Sequence, residues 1–311
     1  MRYVFIINPT AGKRNPYNTV MEAVESTLKP KGISYRCFTT AHPEHATELA
    51  KLEAEKGDPV CVFACGGDGT VCEVARGLRG FDNAVLGIFP CGSGNDYIKT
   101  FGSKARFCSL EDQLEGHTTT VDMIRVGDQY AINLCSLGVD AKVALGVVKF
   151  KKVPLVSGAM AYNLAVMELF LGRMYDRLKI TIDDTIHYDG DFFFALAASG
   201  QQYGGGYRGA PDAIPDDGLL DFVLIKATSK LRLLKILPRY KRGEHTDDDF
   251  GGIVIKHRGR KIQIESMAST PAVINLDGEA FRRNEITFEV APHALRLLLP
   301  RGVGRAEGNC K

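Results

Sequence analysis

The sequence predicts an α/β domain over residues 1–123 and a β-rich domain over residues 124–311. Up to about residue 123, short apolar runs alternate with helix-periodic segments, the pattern of a parallel sheet with covering helices. Beyond it, strand-like runs follow one another. Turn chemistry separates many of them, including Asp183-Asp184, Asp189-Gly190 and Asp216-Asp217-Gly218. That spacing predicts an all-β sandwich or closed sheet. A chain of 311 residues can bury a substantial core.

Taken in order, Tyr3–Asn8 predicts a strand and Thr19–Leu28 a helix. Ser34–Thr39 is a second strand, and Glu44–Lys56, rich in Ala, Glu, Leu and Lys, a second helix. Val60–Ala64 and Val85–Phe89 are two buried strands. Between them Val71, Val74, Ala75 and Leu78 recur on one helical face. Thr70 and Glu73 have the spacing of a capping box, and Gly77 and Gly80 offer stop signals. Later strands are expected at Tyr130–Cys135, Leu178–Ile182, Phe192–Ala198, Leu219–Ile225, Lys261–Ile264, Ala272–Leu276, Ile286–Val290 and Leu295–Leu299. The last of these, near residues 294–300, is a candidate to return to the first domain. Met160–Leu171, strongly apolar, predicts a helix, and the polar tail Gly302–Lys311 a loose end.

Composition narrows the classes. Apolar content of 45% and charged content of 24% are those of a soluble globular protein. A net charge of +2 gives no bulk attraction to nucleic acid. The chain begins without a cationic, signal-like segment, and no apolar run is long enough to span a bilayer. A membrane role would be peripheral. The eight cysteines form no C-x-x-C pair and no Cys/His cluster, which reads as reduced core thiols in a cytosolic protein. The seven histidines show no metal or triad spacing.

The chemistry gathers at strand ends. Cys65-Gly66-Gly67-Asp68-Gly69-Thr70 leaves an apolar strand and opens a helix. Unpaired N–H groups at such a helix start, with glycines before them, let a pyrophosphate approach the backbone. A carboxylate inside that anion site, Asp68, makes sense if a divalent cation sits between it and the phosphates. Two other loops have related composition, Asn8-Pro9-Thr10-Ala11-Gly12-Lys13-Arg14 and Pro90-Cys91-Gly92-Ser93-Gly94-Asn95-Asp96. In parallel topology all three converge on one crevice. They then supply glycine donors, small hydroxyls, a cation and two carboxylates, a set suited to a nucleoside triphosphate with magnesium. Asp122, at the domain border, is placed to add a carboxylate.

Together these loops resemble the diacylglycerol kinase catalytic family, which includes bacterial soluble lipid kinases and has sphingosine and ceramide kinases as relatives. The second half agrees, with Tyr203-Gly204-Gly205-Gly206-Tyr207, Ala210-Pro211-Asp212-Ala213, Asp217-Gly218-Leu219-Leu220-Asp221 and Asn275-Leu276-Asp277-Gly278-Glu279. The resemblance spans essentially the whole chain. It implies a nucleotide-binding first domain like that of NAD kinase and phosphofructokinase. It also implies ATP- and Mg2+-dependent phosphorylation of a lipid hydroxyl, diacylglycerol being the first acceptor expected.

The resemblance further implies that Asn8, Pro9, Thr10, Ala11, Gly12 and Lys13, with Gly66, Gly67, Asp68, Gly69, Thr70, Val71 and Cys72, hold the nucleotide. Thr40, Ser93 and Asn95 are further contacts. Family members usually carry Thr where this chain has Ser93, which keeps the hydroxyl. Asp68, Asp96 and Asp122 match a water-bridged carboxylate network around magnesium. Asp277 and Glu279 match the catalytic strand end, Glu279 as proton acceptor. A structural magnesium would sit on Asp217 and the carbonyls of Ile214 and Leu219. The implied setting is cytoplasmic, with peripheral attachment to the inner, anionic face of the membrane. A homodimer is left open.

The residues by themselves leave rivals. From the motif alone, Asp277-Gly278-Glu279 is also a plain hairpin turn. NAD kinase shares the Gly-Gly-Asp-Gly-Thr loop, although its Asn-Glu pair is not visible here. A phosphofructokinase-like sugar kinase and a catalytically silent lipid- or nucleotide-binding regulator are the others. Two basic runs, Lys149, Lys151 and Lys152, and Lys235, Arg239, Lys241 and Arg242, flank apolar segments. Each reads either as solvated surface or as a contact for anionic headgroups beside an acyl-chain groove.

Overall fold

The computed structural model describes residues 1–102, 104–151, 153, 158–172, 174–246 and 250–304. Lys152 and residues 305–311 of the tail lie outside the described residues.

The first part alternates as expected: β1 (Arg2–Ile7), α1 (Tyr17–Leu28), β2 (Tyr35–Thr39), α2 (His45–Ala54), β3 (Val60–Gly66), α3 (Asp68–Leu78) and β4 (Ala84–Pro90). Short helices α4 (Lys104–Cys108) and α5 (Leu110–Leu114) lead to β5 (His117–Val126), β6 (Gln129–Ala131) and β7 (Leu134–Gly138). Helices α6 (Val139–Lys151) and α7 (Gly158–Leu171) precede β8 (Asp176–Ile182), β9 (Ile186–Ala198) and β10 (Leu220–Lys226). The chain closes with α8 (Lys230–Arg242), β11 (Val254–Gly259), β12 (Lys261–Ser266), β13 (Ala272–Leu276), β14 (Glu279–Arg283) and β15 (Glu285–Leu299).

Strands β2, β1, β3 and β4 run parallel. Alternation sends Val4, Ile6, Val62 and Ala64 to the face covered by α2 and α3. Phe5, Ile7, Cys61 and Phe63 point to the face covered by Val20, Val24 and Leu28 of α1. Both faces are therefore dry, and β3 and β4 are buried throughout, as parallel strands usually are. Each fully buried aliphatic or phenyl side chain contributes about 1.5–3 kcal/mol.

Strand pairing continues through the chain in the order β14-β13-β7-β9-β8-β12-β15-β4-β3-β1-β2. One strand, β15, replaces the two expected at Ile286–Val290 and Leu295–Leu299. Its first half pairs with β12, and Leu297 of its second half pairs with Leu86 of β4. A register shift between Ala291 and Leu295, with His293 at φ 50°, absorbs the turn that the sequence suggests. The border expected at residue 123 falls inside β5, which pairs with β15 along both halves.

Other local expectations are corrected. Helix α3 starts at Asp68 on Gly67, so Thr70 and Glu73 form no capping box. The Thr70 hydroxyl accepts from the Asn8 amide at 3.1 Å, and the Glu73 carboxylate accepts the Ala46 N–H at 3.2 Å. Gly77 lies inside α3 rather than ending it. A Cβ there would stand 2.4 Å from the Thr47 carbonyl oxygen, so glycine lets α2 and α3 touch. The strand expected over Tyr130–Cys135 breaks between Ala131 and Leu134. Helices α6 and α8 had no assigned counterpart in the sequence reading.

Candidate active site

The three glycine loops meet at the carboxyl ends of β1, β3 and β4. The Asn8 N–H donates to Cys65 O at 3.0 Å, and the N–H groups of Cys91 and Gly92 donate to Gly66 O at 2.8 and 3.0 Å. Contact is backbone to backbone. A Cβ on Gly92 would stand 2.4 Å from Gly67 Cα, and one on Gly12 2.5 Å from Cys91 O. Asn8 ties its own loop by accepting from the Thr10 N–H and hydroxyl on Oδ1. The Thr40 N–H donates to Ile7 O at 2.9 Å, which brings it beside Asn8. Lys13 and Ser93 are exposed at the loop tips, Gly69 is exposed in the first turn of α3, and Pro9 is half-buried. Ala11 is buried beneath the first loop. No side chain caps α3, so its first N–H groups open onto this crevice.

The side chains of three expected nucleotide contacts turn inward. The Val71 and Cys72 side chains lie in the core against the sheet, because they fall on the buried face of α3. Asn95, buried with φ 47°, exchanges hydrogen bonds with the Gly92 backbone and so closes its own loop.

The carboxylates divide into two kinds. Asp68 Oδ1 accepts the N–H groups of Asp96 and Tyr97 at 2.7 and 3.2 Å, while Oδ2 has no protein donor among the described residues. Asp96 pairs with Lys99 through Oδ1 and accepts the Gly205 N–H at 2.7 Å on Oδ2. A Cβ on Gly94 would lie 2.9 Å from Asp68 Oδ2 and 3.4 Å from Asp96 Oδ2, so both oxygens border one small space. Burial raises Asp68 above the usual carboxylate range, and the nearby Asp96 charge adds to it. Tyr97 is fully buried, and its hydroxyl has no partner among the described residues. Burial, then the charges of Asp277 and Asp122, raise that phenol. The unpartnered Asp68 oxygen beside Asp96 Oδ2 fits a hydrated cation.

Asp122 and Asp277 are holding groups. Asp122 is fully buried, and its two oxygens accept the N–H groups of His293 at 2.8 Å and Gly218 at 2.7 Å. It pins the shift in β15 to the turn before β10, each oxygen carrying one backbone donor. Asp277, at φ 47°, accepts the N–H groups of Ile132, Asn133 and Leu134. Those three bonds are what break the strand between β6 and β7. They lock the β13–β14 hairpin to that break.

Glu279 opens β14 with its side chain about half exposed and Oε1 3.2 Å from Nη1 of Arg76. Arg76, on α3, also donates to Glu44 at 2.8 Å and to Tyr130 O at 2.8 Å. One guanidinium thus joins the N-cap of α2, α3, β6 and the β13–β14 hairpin. Arg76 was not singled out from the sequence. Its only local signal is a cation two helical turns after the Asp68 loop, on a face too polar to be core.

At Asp217 the expected cation meets competition. Oδ1 accepts the Leu219 N–H at 3.0 Å, and Oδ2 pairs with Arg258, which also lies 3.5 Å from Asp221. Arg258 supplies the positive charge, so as arranged Asp217 and the Ile214 and Leu219 segment do not fit a divalent ion. A cation would have to displace the guanidinium. Arg258→Ala is expected to lower the melting midpoint by about 2 °C or more, since it removes two partly buried ion pairs. It should also gain a magnesium-induced rise larger than the wild type shows. Equal magnesium shifts in the two proteins would contradict this.

Three-dimensional proximity also revises the histidines. The ligand atoms of His42, His45 and Glu48 lie within 4.8 Å of one another. His45 Nδ1 accepts the Ala41 N–H at 3.0 Å, which places the proton of a neutral ring on Nε2 and makes it a poor ligand. Of the first basic run, Lys149 is paired with Glu168 of α7 at 2.6 Å. No helix among the described residues is long and apolar enough to cross a membrane.

Three converging glycine loops with two adjacent carboxylates, beside an acidic hairpin borne by a second set of strands, have the layout of a kinase site. The chain belongs to the family that joins a diacylglycerol kinase catalytic domain to a YegS C-terminal domain. The diacylglycerol kinase catalytic domain matches residues 2–126, and the YegS C-terminal NAD kinase beta sandwich-like domain matches residues 133–299. A diacylglycerol kinase of Bacillus subtilis (strain 168) is 27% identical over 277 residues, covering 88% of each chain. A diacylglycerol kinase of Staphylococcus epidermidis (strain ATCC 35984) is 27% identical over 304 residues, covering 97% of this chain and 93% of that one. A crystal structure of a diacylglycerol kinase from Bacillus anthracis superposes with a TM-score of 0.72 at 20% identity, covering 97% and 98% of the chains. At that identity the superposition speaks for the fold.

Proposed function

We propose that this protein transfers the γ-phosphoryl group of ATP, with magnesium, to the hydroxyl of a diacylglycerol-like lipid. The observation that carries the reading is the convergence of the three loops on Asp68 and Asp96, with Glu279 presented by the hairpin that Asp277 locks. The names of the relatives favour diacylglycerol as acceptor.

Backbone N–H groups of Gly67, Gly69 and the α3 start hold the phosphates. Asp68 and Asp96 would hold the cation, which neutralises charge on the transferring group when bound. Glu279 accepts the acceptor's proton as its oxygen bonds phosphorus, and the bond from phosphorus to the ADP oxygen breaks. Asp277 contributes rigidity, keeping the hairpin in register with the loops.

Incubation with γ-labelled ATP, magnesium and a total lipid extract should move label into a phosphatidic acid-like product. Label transfer only when NAD or a sugar phosphate is added in place of the lipid would move the assignment to the corresponding kinase. Nucleotide binding without transfer to any acceptor would make the protein a silent regulator.

A further inference from the structure

Helix α8 carries six basic residues among thirteen and no acidic one, in a chain whose net charge is only +2. Its inner face is anchored by Leu233, Ile236 and Tyr240, all buried. The outer face is not simply polar. Leu231 is 76% exposed and Leu234 48%, and Pro238 is exposed beside them. Spacings of three and seven residues put these three on one stripe. At 3.6 residues per turn, Lys235 falls on one flank of that stripe and Lys241 on the other. Arg242 is paired with Glu244, and Lys241 reaches the Tyr207 ring at 5.4 Å from its own flank of the apolar stripe, opposite Lys235. Single exposed leucines are ordinary, but a leucine–proline stripe between lysines is the layout of a helix lying in a lipid headgroup layer.

The helix is also well placed and well held. Ser229 caps its start and Gly243, at φ 78°, its end. Its Tyr240 hydroxyl meets the Tyr203 hydroxyl at 3.0 Å, and the Arg208 N–H donates to Lys241 O. The same Tyr203 loop sends the Gly205 N–H to Asp96. One short loop therefore spans from α8 to the cation-binding carboxylates.

We propose that the outer face of α8 docks this protein on an anionic phospholipid bilayer, with Leu231, Leu234 and Pro238 entering the headgroup region. The choice of a bilayer as occupant follows from charge complementarity. It rests on the lipid-kinase reading for its purpose but not for its test.

Vesicle co-sedimentation without nucleotide measures the docking. Wild-type protein should bind equimolar phosphatidylcholine and phosphatidylglycerol vesicles about tenfold or more better than phosphatidylcholine alone, with the gain lost in high salt. The double substitution Leu231→Ser, Leu234→Ser should lose most binding, and Lys235→Glu, Lys241→Glu should lose the preference for anionic lipid. Both variants should melt like wild type and keep its turnover on a detergent-dispersed acceptor. Vesicle binding by a protein that phosphorylates no lipid would support the docking and overturn the kinase reading. Unchanged vesicle binding in the serine variant would overturn the docking. So would a wild-type dimer that the serine variant turns into a monomer, which would make α8 an interface between copies.

Discussion

Glu279→Gln should lower kcat by about two to four orders of magnitude, the usual range for loss of a general base. Glutamine keeps the size of the side chain and can still accept a hydrogen bond from Arg76, which now stands 3.2 Å from Oε1. What it cannot do is take up the acceptor's proton. Among the described residues, Glu279 is held by Arg76 on α3 rather than by the three glycine loops. ATP affinity should therefore stay near the wild-type value, and steady-state kinetics with calorimetric ATP binding separate the two effects. Nearly full turnover in the Gln variant would remove Glu279 as the base. A defect confined to ATP binding would place it in the nucleotide site instead.

Asp68→Asn should abolish most turnover while leaving the protein as stable as before, or more so. The amide oxygen can replace Oδ1 as acceptor for the Asp96 and Tyr97 N–H groups, so the loop keeps its shape. The lost charge is the one that would face the cation. Metal-assisted charge stabilisation is worth several kcal/mol, so a fall of about a thousandfold is expected. The stability sign follows from burial, which raises Asp68 in the folded protein. Such a group's stabilising contribution is fully present below its unfolded pKa and is lost as pH rises through the folded one. At neutral pH the ionised carboxylate is therefore a net cost that asparagine removes. Melting in chelator at neutral pH should show an equal or higher midpoint for the variant. A clear drop in midpoint, or wild-type turnover at limiting magnesium, would contradict the assignment.

The α/β part was legible because its signals are local. Seven buried residues in a row, as in β3, and an apolar stripe at helical spacing, as in α3, need no partner to be recognised. The glycines at positions 66, 67 and 92 announce a close backbone approach wherever they occur. The strands of the second half were mostly found, but β15 was divided in two. A sharp register shift and a turn between strands have similar chemistry over a few residues. Helix α8 was missed because its basic, leucine-rich face resembles neither a core helix nor a polar one.

By itself the sequence determined which residue types stand at the strand ends, and hence that phosphate, cation and proton chemistry are available. Only the tertiary structure decided what each charged side chain does with that chemistry. Asp122 and Asp277 look like Asp68 in the chain, but folding surrounds them with two and three backbone donors and makes them braces. Arg76 and Glu279 are 203 residues apart, and Asp96 and Gly205 are 109. Such pairs are set by sheet order and register. A carboxylate's role depends on the donors and charges around it, and those neighbours come from distant parts of the chain.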